Sequence, residues 1–143
     1  MTDADQPEHV VDVYADVSCP FAHFSLRRFT ERRHRAGADI GEAFNLAIRE
    51  ALFEQGRAIG DPDVLGEIAA RFDLVVPDAA SARAAVDADF VEGQRRGVTG
   101  SPYFIVGGAP FFCPTLDIER QGEHLRIDID DAELDRFIDR ALQ

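Results

Sequence analysis

Cys19 stands directly before Pro20, with Ser18 on one side and His23 one helical turn further on. A thiol can serve as nucleophile, redox centre or metal ligand, and in each role the reacting species is the thiolate. Pro20 suits the first position of a helix, where its missing N–H is not needed. After it, Phe21, Phe24, Leu26 and Phe29 fall at helical spacing, with Arg27, Arg28, Glu31, Arg32 and Arg33 mostly on the other face. Cys19 therefore meets free backbone N–H groups and the positive end of a helix dipole, and both favour the thiolate. The competing reading is a buried cysteine that fills space. The sequence holds one other cysteine, Cys113, too distant for a local redox pair. The two fit neither a disulfide framework nor a zinc-ligand spacing, and with four scattered histidines no metal site is expected.

The elements that must position Cys19 can be read in order. Val11, Val13 and Ala15 alternate with more polar neighbours, a strand pattern from about 9 to 16, and the helix opened by Pro20 runs to about 35. Ala36-Gly37-Ala38 ends it, and a second helical pattern covers 42 to 55. Asp61-Pro62 opens a short helix carrying Val64, Leu65, Ile68, Ala69 and Phe72, followed by an apolar turn at Leu74-Val75-Val76-Pro77. A further helix from 78 to 96 directs Ala82, Ala85, Val86, Phe90 and Val91 toward the core, and Gly97 stops it. Residues 103 to 106 form a strand, Gly107-Gly108 a hairpin turn, and 109 to 113 the return strand. Leu116, Ile118, Leu125, Ile127 and Ile129 extend that strand or add a ribbon around Gln121-Gly122. Asp130-Asp131 caps a last helix to Leu142 that buries Leu134, Phe137, Ile138 and Ala141.

Between these elements stands Gly97-Val98-Thr99-Gly100-Ser101-Pro102-Tyr103-Phe104-Ile105-Val106-Gly107-Gly108. Together with Cys19-Pro20-Phe21-Ala22 it resembles the DsbA-like oxidoreductase branch of the thioredoxin-like superfamily. In that branch Cys-Pro-x-Cys opens the first long helix and a Gly-x-Pro segment with a cis proline faces it. The resemblance implies a nucleophile at Cys19 and a cis proline at Pro102. It also implies a substrate-binding surface built from Ser18, Pro20, Phe21, Ala22, His23, Gly100 and Ser101. The stretch from Ala51 to Pro62 and on through Leu65 and Ile68 looks like the branch's helical insertion. The expectation is a single α/β domain over residues 1–143, thioredoxin-like with a helical insertion, its second parallel strand shortened or absent and residues 1–7 a disordered tail. An exposed sheet edge would follow, covered by a helix or by the second subunit of a homodimer.

Ala22 occupies the place of the second motif cysteine, so an internal Cys-x-x-Cys disulfide cannot form. The leading expectation is a monothiol thiol–disulfide oxidoreductase acting through Cys19 on small-molecule or protein thiols and disulfides. No cofactor is tightly bound; a low-molecular-weight thiol such as glutathione or an equivalent resolves the mixed disulfide. Two alternatives stand beside it. Kappa-class glutathione transferases and chromene-carboxylate isomerases share the architecture, with Ser-Pro-Tyr in place of Cys-Pro. A degenerate binding or dimerisation module is the other.

Each candidate residue also has a plainer reading: Ser18 as a helix cap, His23 as solvent-facing rather than tuning the thiolate, and Pro102 as an ordinary trans proline. Tyr14 and Phe21 read as core or groove lining, and the paired arginines as a solvated helix face. With Val106 opposite Ala109, Pro102 comes opposite Cys113; the resemblance implies that the Pro102 strand adjoins the Cys19 strand, which would put Cys113 two strand spacings, roughly 10 Å, from Cys19. That exceeds disulfide reach, so Cys113 reads as structural.

Composition narrows the setting. Hydrophobic residues make up 45% of the 143, enough for a real core, and the net charge of −12 argues against nucleic acid or an anionic membrane as partner. No apolar run is long enough to span a bilayer and no leader pattern opens the chain, so the expected compartment is the cytoplasm. Mild oxidation followed by mass spectrometry should find Cys19 capped by a small thiol or as sulfenic acid; a dominant Cys19–Cys113 crosslink would refute the monothiol reading.

Overall fold

The computed structural model describes residues 11–33 and 40–142. The expected tail, the start of the first strand and the Ala36-Gly37-Ala38 cap lie outside the described residues. β1 (Val11–Tyr14) leads into α1 (Pro20–Arg33). α2 (Ile40–Phe53), α3 (Pro62–Ala70) and α4 (Ala79–Arg95) follow. β2 (Tyr103–Val106), β3 (Ala109–Phe112), β4 (Leu116–Gln121), β5 (His124–Ile129) and α5 (Asp131–Leu142) complete the chain. The fold is mixed α/β, with an antiparallel sheet ordered β1-β2-β3 and a separate β4-β5 ribbon. Among the described residues no strand lies between α1 and α2, and β1 is an edge of the larger sheet.

Local chemistry accounts for the boundaries. The Asp61 side chain accepts the Asp63 N–H with Pro62 just inside the helix, Asp78 accepts from Ala80 and Ser81, and Asp130 accepts from Glu133. Such caps contribute about 1 kcal/mol each. Gly107 and Gly108, at φ +53° and +80°, make the tight turn that sets Val106 opposite Ala109. Pro110 sits on β3, the other edge strand, where a missing donor is tolerated.

Two apolar clusters hold the elements together. β2 is buried along its length, and its Phe104 and Val106 join Phe29 of α1 with Leu134, Phe137 and Ala141 of α5. The Phe137 ring lies 4.8 Å from Phe104, 5.2 Å from Phe29 and 5.2 Å from Phe111, centroid to centroid. A second cluster joins α2 and α3 through Ala47, Ala51 and Ile68, with Phe44 edge-on to Phe72.

α4 departs from the sequence expectation. Val86 is 65% exposed and Phe90 66%, and Ala85 and Val91 are exposed as well. Only the C-terminal end of this helix is seated. Gly93 is buried, and a Cβ there would come within 3.2 Å of the Tyr14 ring. Arg96 then donates to the Tyr14 hydroxyl and pairs with Asp12 at 2.8 Å. Helical periodicity shows which residues share a face, and here no described layer covers that face. The β4-β5 ribbon likewise stands apart from the sheet, leaving Leu125, Ile127 and Ile129 exposed. Val13, expected to face inward, is 37% exposed on the edge strand.

Phe137→Ala should lower unfolding stability by about 3–5 kcal/mol, since it empties the hub of four ring systems. Phe90→Ala on the exposed face should change it by less than about 0.5 kcal/mol. Urea denaturation of the two variants checks the contrast, and equal losses would contradict this assignment of the core.

Candidate active site

Cys19 caps α1. Its C=O accepts the His23 N–H at 3.1 Å, and its Sγ accepts the Ala22 N–H at 3.4 Å. A side chain that accepts from the third residue of a helix does what an N-cap serine or aspartate does, satisfying a donor left free by the helix start. Pro20 is exposed in the first turn, Phe21 is half-buried, and Ala22 is completely buried beneath the sulfur. Cys19 itself is partly exposed.

The second side of the site comes from the segment before β2. The Cys19 thiol donates to the Ser101 C=O at 3.4 Å, and the Asp16 N–H donates to Ser101 Oγ at 2.9 Å. The Ser101–Pro102 peptide is cis, the isomer that the family resemblance implies. Pro102 is buried, and its C=O accepts the Cys113 N–H at 3.0 Å. Gly100 completes the segment: a Cβ there would lie 2.6 Å from the Phe112 ring. Residues far apart in sequence thus meet because β1 and β2 run antiparallel with Tyr14 opposite Tyr103, which sets both loops at one end of the sheet.

Ser18 and His23 take other partners. The Ser18 N–H and hydroxyl both donate to Asp16 Oδ1, at 2.8 and 2.7 Å, so this side chain shapes the loop instead of reaching the sulfur. Those bonds, with help from Arg49, hold the Asp16 carboxyl below its ordinary value. His23 neither faces open solvent nor bonds Cys19. Its ring stacks on Phe53 at 5.2 Å, and Nε2 meets Glu54 Oε1 at 3.0 Å. Arg27 also binds Glu54, and the two donors, Arg27 first, keep that carboxyl below its usual range. Of the arginine pairs expected on a solvated face, Arg27 is exposed while bound to Glu54, Arg28 is half-buried and pairs with Asp131 at the start of α5, and the side chains of Arg32 and Arg33 lie outside the described residues.

Cys113 is buried, in the left-handed backbone region at φ +46°. Burial pushes its thiol above the ordinary value, opposed by a hydrogen bond from Ser25, and the charge of Cys19 pushes the same way as burial. Ser25 and Thr115, both buried, share a hydroxyl contact of 2.5 Å.

No protein-family model, curated protein or solved structure matches this chain.

Arg49 and Asp16 have a place at this site that the sequence reading did not assign. Arg49 on α2 is fully buried and donates through Nη2 to the Ala15 C=O at 3.3 Å, reaching the loop that carries Cys19. Residue type and spacing gave no signal for this, because Arg49 shares one polar stripe of the amphipathic α2 with Glu42 and Asn45. Among the described residues no group of three His, Cys, Asp or Glu side chains could hold a metal ion. Nor is any helix among them long and apolar enough to cross a membrane.

Because the unfolded chain gives up the Cys113 proton at a lower pH than the folded protein, folding stability should decline as the pH rises past the ordinary thiol value of 9.0. Urea midpoints at about pH 8 and about pH 10.5 test this, and Cys113→Ala should flatten the difference. In the native protein iodoacetamide should label Cys19 and spare Cys113 until unfolding; faster labelling of Cys113 would overturn the assignment.

Proposed function

We propose that the protein is a thiol–disulfide oxidoreductase of the DsbA-like, thioredoxin-like type, working as a monothiol enzyme through Cys19. The observation that carries this reading is the placement of Cys19 Sγ. The sulfur sits at a helix start, accepts a backbone N–H, faces the Ser101 carbonyl and stays partly exposed. A cysteine that only filled space would have no reason to occupy a cap with solvent access. The element order supports the same reading, with a strand and helix first, helices between, then a hairpin and a final helix.

In the first step the Cys19 thiolate attacks one sulfur of a disulfide, forming a mixed disulfide while the S–S bond breaks. The bonding pair leaves on the second substrate sulfur, which takes a proton from water. An external thiolate then attacks the substrate-side sulfur of the mixed disulfide and expels Cys19 as thiolate. The net change is exchange of one thiol for another, with no electron left over. When Cys19 loses its proton, the Ser101 C=O loses the donor it has in the resting thiol form. That carbonyl then stands open to a backbone N–H of an extended substrate. Ala22 contributes its N–H to the sulfur but no second thiol, so the resolving thiol comes from outside.

A docking module is the second reading, favoured by the uncovered apolar side chains of α4. Exchange assays separate the two. Cys19→Ser should abolish thiol–disulfide exchange, and Cys113→Ser should retain most of it. Ala22→Cys should make turnover less dependent on added thiol, at a packing cost of about 1–3 kcal/mol because position 22 is fully buried. Exchange untouched by Cys19→Ser would remove the enzymatic reading.

A further inference from the structure

Among the described residues Arg49 is the largest fully buried side chain, and it lies on an amphipathic helix. Its Nε donates to Asn45 Oδ1 at 2.7 Å and its Nη2 to the Ala15 C=O at 3.3 Å, while Nη1 is buried with no partner. Neither partner is charged. A guanidinium held out of water against two neutral oxygens is costly unless a negative charge is near. The groups around it come from several elements. Asp16 and Cys19 lie on the same β1–α1 loop as the Ala15 carbonyl that Arg49 holds; burial pushes the guanidinium below its ordinary value, and negative charge on Cys19 and on Asp16 opposes that. Asp16 already accepts two hydrogen bonds from Ser18. Cys113, on the β3–β4 turn, is kept protonated by burial, and His23 of α1 is tied to Glu54 at the end of α2. The charge at this junction that changes during the proposed reaction is the one on the Cys19 sulfur.

We infer that Arg49 is a positioning residue for the exchange reaction, a buried counter-charge that favours negative charge on Cys19 Sγ. The inference rests on Cys19 being the nucleophile. Negative charge sits on this sulfur twice in a cycle: before it attacks the disulfide, and again when an external thiol expels it from the mixed disulfide. In the first case the thiol proton leaves to solvent, which Cys19 reaches; in the second the electron pair returns to the sulfur from the broken S–S bond. Arg49 keeps its own proton throughout. Through Nη2 the same side chain holds the Ala15 carbonyl, so the charge and the loop that presents the sulfur are fixed by one group.

The test is the rate of iodoacetamide alkylation at Cys19 in the full chain, read by peptide mass spectrometry from about pH 6 to about pH 11. Arg49→Met and Arg49→Gln should react about tenfold more slowly than the parent near neutral pH. They should converge with it at alkaline pH, where the thiolate forms without assistance. Arg49→Lys should retain most of the parent rate. Convergence separates a charge effect from lost anchoring, because a displaced loop would lower the rate equally at every pH. Parallel curves, or neutral variants as fast as the parent, would overturn the inference. If both neutral variants fail to fold, the decision falls to Arg49→Lys, whose neutral-pH rate must then stay near that of the parent. A parent protein whose Cys19 reacts no faster than the unfolded chain would instead sink the oxidoreductase reading, whatever the Arg49 variants do.

Discussion

The register of β1 against β2 is the constraint on which the site depends. With Val11 opposite Val106 and Tyr14 opposite Tyr103, the loop after β1 and the segment before β2 emerge side by side. A slip of one residue would turn the β2 side chains to the opposite face and move Ser101 away from Cys19. The register is held from several directions. Gly107-Gly108 fixes β2 against β3, the buried aromatic cluster grips Phe104, and the Asp16-to-Ser101 and Cys19-to-Ser101 hydrogen bonds close the open end. None of these bonds is strong alone. Together they bring sulfur, carbonyl and buried proline to one place.

The helical pair α2–α3 has its own apolar cluster, and polar contacts tie it to α1 and to the loop after β1. Arg49 reaches the Ala15 carbonyl, and Glu54 gathers Arg27 and His23 from α1 while His23 stacks on Phe53. Charged and stacked contacts at such a seam fix direction as well as proximity, because hydrogen bonds tolerate less rotation than apolar packing does. The partners of His23 are therefore Phe53 and Glu54 at the end of α2.

Much of this was legible in the sequence, and for identifiable reasons. The caps at Asp61, Asp78 and Asp130 and the Gly107-Gly108 turn depend on local chemistry, whereas the meeting of Cys19 with Ser101 was expected only from the family resemblance. On α4 apolar spacing reports a shared face and is silent on whether anything lies against it. Arg49 shares a polar stripe of α2 with Glu42 and Asn45, a pattern that reads as a solvent face, and only the tertiary packing shows it buried. The engagement of Ser18 by Asp16 was hidden for another reason. Asx-type loop closure depends on backbone angles that residue type alone does not fix.

The way α4 is mounted has its own mechanical consequence. Apart from Ala82 and Gly93, every residue of this helix is exposed, and its firm attachment is the Gly93–Tyr14–Arg96 contact at one end. It is a cantilever. A helix clamped at its C-terminal end opens from its free N-terminal turns, where few packed neighbours resist separation and the Asp78 cap is the main restraint. Amide hydrogens along α4 would therefore exchange in a gradient, fastest beyond Asp78 and slowest beside Gly93. The clamp closes on Tyr14 and Asp12, and Tyr14 is the last residue of β1 before the loop that carries the sulfur. A load on the free end of α4 would be felt first at the strand that sets the position of Cys19.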